Sequence, residues 1–166
     1  FSKKNHLIIY GAGTLGKVTL QTLKKHNLEV DFFCDSDVRK HHLKVEGKDI
    51  LSPEKLIGFD KDTDIFVCNI YFSSIVPFLK KSGFTNVYNS SELFNDLDVN
   101  NFKIESADGK SIIEPLKLKR EIDFYNEMTK KNTYINSDKL IVKTIDVQIT
   151  EKCSMKCKDC SNLMQY

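Results

Sequence analysis

Three glycines and three cysteines carry the patterns in this chain that could do chemistry. Gly11, Gly13 and Gly16 stand in the spacing G-x-G-x-x-G within the stretch HLIIYGAGTLGK. Cys153, Cys157 and Cys160 stand in the spacing C-x3-C-x2-C within ITEKCSMKCKDCSNLM. A glycine pattern of this kind has meaning only between a strand and a helix. That context is present: the apolar run Leu7-Ile8-Ile9-Tyr10 precedes it, and Leu15, Val18, Leu20 and Leu23 follow with helical spacing. The first glycine then permits a sharp turn, the second lets backbone approach a phosphate, and the third lets helix and strand pack tightly. Free N–H groups and the positive end of the helix dipole complete the attraction for an anion. Gly11, Ala12, Gly13, Thr14, Leu15 and Gly16 are therefore the candidate cradle of a diphosphate.

Two polar residues stand where such a ligand would need partners. The short apolar strand Val30–Cys34 ends in Asp35-Ser36-Asp37. Asp35 follows the glycines at about the separation, roughly 20 residues, at which an acidic side chain accepts hydrogen bonds from ribose hydroxyls. Its other reading is a solvated acidic turn. Asn69 ends the run Asp64–Cys68. Ligands bind at that end of a strand in open α/β sheets, although Asn is also a common turn former.

The cysteines admit two metal readings. Three thiolates on one loop can hold three irons of a 4Fe–4S cluster and leave the fourth iron open, and soft thiolates suit zinc as well. A structural zinc site wants four ligands. No Cys or His follows Cys160 to supply the fourth, and His6, His26, His41 and His42 all lie far upstream. Cys34 and Cys68 fall inside apolar strands and read as core packing.

The elements that must position these groups alternate. Strands are expected at Leu7–Tyr10, Val30–Cys34, Asp64–Cys68 and Thr85–Tyr88. A helix is expected from Leu15 to His26, stopped at Asn27. A short helix should start at Ser52-Pro53-Glu54 and end at Gly58. Another should be capped by Ser73 or Ser74, hold Pro77 in its first turn and stop at Gly83. A last short one should run from Ser90 to Phe94. Val38–Gly47, polar and basic, reads as an exposed loop, in which the adjacent His41 and His42 make a poor metal pair. The class is α/β: a parallel sheet with right-handed crossovers and helices on both faces. The polar, Asn/Asp-rich stretch after Phe94 marks a boundary. The expected organisation is a nucleotide-binding domain over 1–98, a linker with a bridging helix over 99–139, and a truncated second domain over 140–166. The bridging helix, opening at Glu114-Pro115 and running to about Lys131, should turn Leu116, Ile122, Phe124, Tyr125 and Met128 to one face.

Bulk properties narrow the partners. A chain of 166 residues can bury a core without a disulfide or metal. A net charge of +2 gives no strong pull toward nucleic acid or membrane surfaces. Arginine occurs only at Arg39 and Arg120, so a phosphate or carboxylate site built on bidentate guanidinium forks is not expected, Lys acting only as a point charge. No apolar run reaches the roughly 20 residues of a membrane span. Five cysteines without a secretory signal suit a reducing, cytoplasmic setting. The start at Phe1 and the end just past the cysteines read as cuts from a longer protein.

Two resemblances sharpen these expectations. ITEKCSMKCKDCSNLM, behind the strand Val147–Thr150, resembles the opening of a radical S-adenosylmethionine (radical SAM) enzyme. That resemblance implies a 4Fe–4S cluster on Cys153, Cys157 and Cys160, with S-adenosylmethionine chelated at the open iron and cleaved reductively. An electron-donor protein is implied with it. The position before the last cysteine, often aromatic in that family, is Asp159. YGAGTLGK, VDFFCDSDVRKHHLKVEGKDILSPEKL and DIFVC, within Leu7–Phe94, resemble the Rossmann-type domains of bacterial polysaccharide-biosynthesis proteins. Those domains bind nucleotides or nucleotide-sugars, some of them NAD. Together the resemblances imply a radical SAM enzyme in surface-polysaccharide metabolism, of which this fragment alone would be inactive. The rivals are an NAD-dependent oxidoreductase, a non-catalytic nucleotide-sugar docking module, and a protein with a zinc-binding tail.

Overall fold

The computed structural model describes residues 5–95, 97–106 and 111–133. The chain divides into a unit over Phe1–Asn136 and a unit over Ser137–Tyr166, and every described residue belongs to the first. Cys153, Cys157 and Cys160, with the strand expected before them, lie outside the described residues.

The apolar run at the start forms β1 (Leu7–Tyr10), buried at all four positions. It stays wholly apolar because both of its faces are covered. Ile9 packs with Leu20 and Leu23 of α1 (Thr14–Lys25) on one side of the sheet. Ile8 and Tyr10 pack with Ile75 and Leu79 of α2 (Phe72–Lys81) on the other. The remaining strands are β2 (Phe32–Cys34), β3 (Lys44–Val45), β4 (Lys48–Leu51), β5 (Asp64–Val67) and β6 (Val87–Asn89). They form one sheet in the order β3-β4-β2-β1-β5-β6, parallel throughout except for the β3–β4 hairpin. From β4 to β6 this is the strand order of a doubly wound nucleotide-binding half. The chain leaves β1 toward β2 and later returns on its other flank at β5. The loops after β1 and β5 therefore diverge and open a crevice at the carboxyl end of the central strand.

Both long helices of the sheet stop where the sequence says. Asn27 (φ 58°) and Gly83 (φ 94°) are left-handed. After each, the next residue donates back across the last turn, Leu28 to the Leu23 carbonyl at 3.0 Å and Phe84 to that of Leu79 at 3.1 Å. This is the glycine-type helix stop in both cases.

Elsewhere the structure corrects the expectations. Val38–Gly47 is no simple loop: a 3-10 turn at Val38–Lys40 leads into the β3–β4 hairpin. The hairpin turns on Glu46 (φ 46°) and Gly47 (φ 80°), the two positive-φ positions of a tight two-residue turn. The crossovers into β4 and β5 are made by 3-10 segments, not full helices; the second is Pro53–Gly58, with proline at its start. Helix α2 begins at Phe72, ahead of the expected serine caps. Asn69 Oδ1 accepts the Tyr71 N–H at 2.9 Å, while Ser74 Oγ turns back to donate to the Tyr71 carbonyl. Pro77 consequently lies inside the helix, where it removes one ladder bond. The 3-10 segment Ser90–Phe94 is capped by Asn89, whose Oδ1 accepts the Ser91 N–H.

Residues beyond Phe94 fold back onto the sheet domain. Phe102, Ile104 and Ile113 join Val18, Phe94 and the helix α3 (Pro115–Thr133) in a third apolar cluster. The buried stripe of α3 is Leu118, Ile122, Tyr125 and Thr129, a regular helical face. Leu116 and Phe124 of the expected face are exposed instead. They project from the far side of the helix, about 160° and 240° around from Leu118 at 100° per residue. Tyr125 is fully buried, and its hydroxyl reaches the Val67 carbonyl at 2.7 Å and Asn89 Oδ1 at 2.9 Å. Helix α3 is thereby pinned to the carboxyl ends of β5 and β6.

Candidate functional site

The three glycines have different reasons to be glycine. Gly11 has φ +121°, and a Cβ there would stand 2.9 Å from both the carbonyl oxygen and the Sγ of Cys68. A Cβ on Gly16 would stand 1.9 Å from the Gly11 carbonyl oxygen. These two are demanded by the fold's own packing. Gly13 is not: its backbone is extended at φ −102° and ψ −161°, open to any residue. A Cβ on it would meet nothing within 4 Å. Gly13 is exposed and is the N-cap of α1, with no side chain capping the helix and no acidic residue in its first turn. Among the described residues, then, nothing stands beside the Gly13 Cα where a side chain would project.

Basic side chains gather at that spot. A cavity of ≈ 310 Å³ is bordered by Ala12, Gly13 and Thr14 of the loop and by Lys17, Lys40 and Lys44. Leu43, Val45 and Ile50, from the hairpin side, give it an apolar wall, and Glu105 closes it. Lys17 Nζ donates to the Glu105 carbonyl at 2.9 Å, and Gln21 Nε2 donates to the Lys103 carbonyl at 3.2 Å. Lys25 Nζ lies 3.9 Å from the Phe102 ring centroid. One face of α1 thus clasps the segment from Phe102 to Glu105.

Asp35 follows β2 and turns back onto the glycine loop. Its Oδ2 accepts the Ala12 N–H at 2.9 Å and Lys40 Nζ at 2.7 Å, and its Oδ1 accepts the Asp37 N–H at 2.9 Å. The side chain is buried. Burial alone would raise its pKa, but the hydrogen bond from Lys40 and those from the Asp37 and Ala12 amides outweigh it and hold the carboxyl below its usual range. Asp35 is thus the tie between the loop after β1 and the loop after β2. His41 braces the loop after β2 itself, its Nε2 lying 2.7 Å from the Asp35 carbonyl oxygen.

Asn69 is placed beyond β5, and it borders a different cavity with Tyr10, Ser36 and Tyr71. Of the residues singled out in sequence, Gly11 to Gly16 and Asp35 come together; Asn69 stands on the opposite side of β1 from the lysines. Cys34 and Cys68 are both free and buried. Burial raises both thiols, that of Cys68 to about 12, so neither is a nucleophile near neutral pH. Among the described residues no group of three His, Cys, Asp or Glu is arranged to hold a metal ion. Sequence reasoning missed Lys17, Lys40 and Lys44 as one group. The signal was the Glu46-Gly47 turn between Val45 and Ile50, which folds the basic stretch back beside the loop.

Residues 3–86 match the family model described as C2185-like, N-terminal, which covers half of the chain. Among solved structures, UDP-D-quinovosamine 4-dehydrogenase from Vibrio fischeri is 20% identical with a TM-score of 0.45, over 64% of this chain and 97% of that one. Aspartate semialdehyde dehydrogenase II from Vibrio cholerae is 20% identical with a TM-score of 0.39, over 52% of this chain and 28% of that one. Likeness at these scores says nothing about chemistry. No curated protein matches the chain. Among the described residues no helix is long and apolar enough to cross a membrane.

Proposed function

We propose, for a chain that belongs to the C2185-like family through its N-terminal domain, that this domain binds a nucleotide or nucleotide-sugar by its diphosphate. The observation that carries the reading is Gly13: no contact among the described residues requires it to be glycine, and it borders a cavity also lined by Lys17, Lys40 and Lys44. A diphosphate on the first turn of α1 takes N–H donors and the helix dipole from the backbone. Lys17, whose ammonium donates to the neutral Glu105 carbonyl, supplies the charge without demanding a fixed fork geometry. Lys40 and Lys44, paired with Asp35 at 2.7 Å and Asp49 at 2.6 Å, add donors at the rim. The apolar wall of Leu43, Val45 and Ile50 suits the base. Asp35, at the end of β2 where an acidic residue would meet a ribose, has its buried carboxylate held by Ala12, Asp37 and Lys40 and so serves the site by fixing the loop, and Asn69 attends the far end of the ligand. NAD and sugar nucleotides both satisfy these requirements.

The C-terminal end of the chain, in this reading, opens a radical SAM domain in a longer enzyme of surface-polysaccharide metabolism. Cys153, Cys157 and Cys160 would hold a 4Fe–4S cluster, the donor set suiting three irons and leaving one for S-adenosylmethionine. When bound, that group supplies one-electron chemistry; the N-terminal domain supplies recognition and orientation.

Titration calorimetry with UDP, UDP-N-acetylglucosamine and NAD tests the first part. At least one should bind, with an affinity that falls as salt rises, and the double variant Lys17→Ala/Lys44→Ala should weaken it while melting like the parent. Binding by none of the three, or full affinity in the double variant, overturns the reading. Anaerobic iron and sulfide reconstitution with metal analysis tests the second. Visible charge-transfer absorbance lost in Cys157→Ala supports the cluster, and stoichiometric zinc in place of iron refutes it.

A further inference from the structure

A second cavity, also ≈ 310 Å³, opens at the carboxyl end of the sheet on the side of α2. Its chemistry is the opposite of the lysine cavity. Tyr10, Ser36, Asn69, Tyr71, Ser74 and Phe78 line it together with the apolar Ile75, and among the described residues no charged side chain does. Tyr71, Ser74 and Phe78 recur at helical spacing and so share one face at the start of α2. Tyr71 is 67% exposed and Phe78 41% exposed, and neither belongs to the apolar cluster under α2. Two aromatic rings that the core does not use flank a row of neutral hydrogen-bonding groups. Asn69 spends its Oδ1 on the Tyr71 amide, which leaves the side-chain amide N–H groups turned to other uses. Two of its lining residues neighbour the glycine loop along the chain or through a bond: Tyr10 precedes Gly11, and Ser36 follows Asp35, which holds the Ala12 amide.

Aromatic faces beside uncharged hydroxyl and amide groups match one ligand chemistry best. An uncharged polyhydroxylated ring offers an apolar C–H face for stacking and hydroxyls for the rim. An anionic group would find no counter-charge here, and a purely apolar one would strand the polar lining. We propose that this cleft is the sugar subsite: it takes the ring of a diphosphate-linked sugar whose diphosphate rests on the Gly11–Gly16 loop. The assignment rests on the nucleotide-binding reading and goes beyond it by naming the group this cleft takes.

The test uses the full 166-residue chain and compares UDP with UDP-glucose and UDP-N-acetylglucosamine by calorimetry. A sugar nucleotide should bind the parent protein about fivefold to tenfold tighter than UDP, the gain expected of one well-packed aromatic contact. Tyr71→Ala and Phe78→Ala should erase that preference and leave UDP affinity unchanged. Tyr71→Phe should keep it, because the ring remains. Melting curves confirm folding, which exposed positions should preserve. Binding of UDP and sugar nucleotides with no preference, or a preference that survives both alanine variants, overturns the subsite and leaves the diphosphate cradle standing. Equal weakening of UDP itself places the base in this cleft and also overturns it. Absence of all binding removes both readings together.

Discussion

Replacing the three loop glycines by alanine separates what the fold needs from what a ligand needs. At Gly16 the new Cβ would stand 1.9 Å from the Gly11 carbonyl oxygen. Both partners are backbone, so α1 itself must move away from the turn. Overpacking of this kind costs about 1–3 kcal/mol and occasionally more, against a helix-propensity gain of about 1 kcal/mol. Because the clash is backbone on backbone, the cost belongs at the top of that range, about 3 kcal/mol, and the net loss of about 2 kcal/mol should lower the melting temperature by roughly 4–8 °C in a domain of this size. At Gly13 the Cβ meets nothing, and the backbone is already extended. The less favourable N-cap and the stiffer unfolded chain offset each other, so stability should move by less than about 1 kcal/mol. Ligand affinity should behave in reverse. The Gly13 Cβ enters the space a phosphate would occupy, and a steric cost of about 1.4 kcal/mol there is a tenfold loss. Thermal melts and calorimetry on the two purified variants read both quantities. Equal melting losses in the two, or undiminished nucleotide affinity in Gly13→Ala, would refute the reasoning.

Other expectations follow from the same contacts. Tyr125→Phe removes the hydroxyl that reaches the Val67 carbonyl at 2.7 Å; the stranded acceptor should cost about 1–3 kcal/mol, read as a lower denaturant midpoint. Asp35 has a folded pKa below its usual value, so its stabilisation is present above the unfolded pKa and is lost as pH falls through the folded one. Melts of Asp35→Asn from neutral pH to about pH 3 should therefore show a lower plateau and a shallower acid decline than the parent, the unfolded reference lying near 3.9. Gly83→Ala forces a side chain into φ +94° at the stop of α2; a loss of about 1–2 kcal/mol is expected in chemical denaturation.

The part of the fold written in apolar residues and breakers was legible. Leu7–Tyr10, the glycines, Asn27 and Gly83 identified strand, loop, helix and stops because each has a backbone reason to be where it is. Val38–Leu51 was not, because strands of two and four residues at the sheet margin bury only Val45 and Ile50. A pattern that sparse gives alternation nothing to show. The buried face of α3 excludes the apolar Leu116 and Phe124, since apolar character alone does not reveal which side meets a neighbour. At the site, the glycines and Asp35 were found by spacing. The lysines were invisible as a group because Lys17 and Lys44 are brought together only by a hairpin packing beside α1. Asp35 shows the same limit: its position follows from the strand, but its bonds to Ala12 and Lys40 depend on the loops that surround it.

The bare contact between Gly16 and the Gly11 carbonyl has one more consequence. With no side chain interposed, the turn and the first coil of the helix are seated on each other like two ground surfaces, and the Asp35 carboxylate clamps the residue between them. If the loop takes the proposed diphosphate, its receiving shape is formed before that ligand arrives. Little ordering entropy remains to be spent at that moment, so differences among guests should be expressed in how slowly each one leaves.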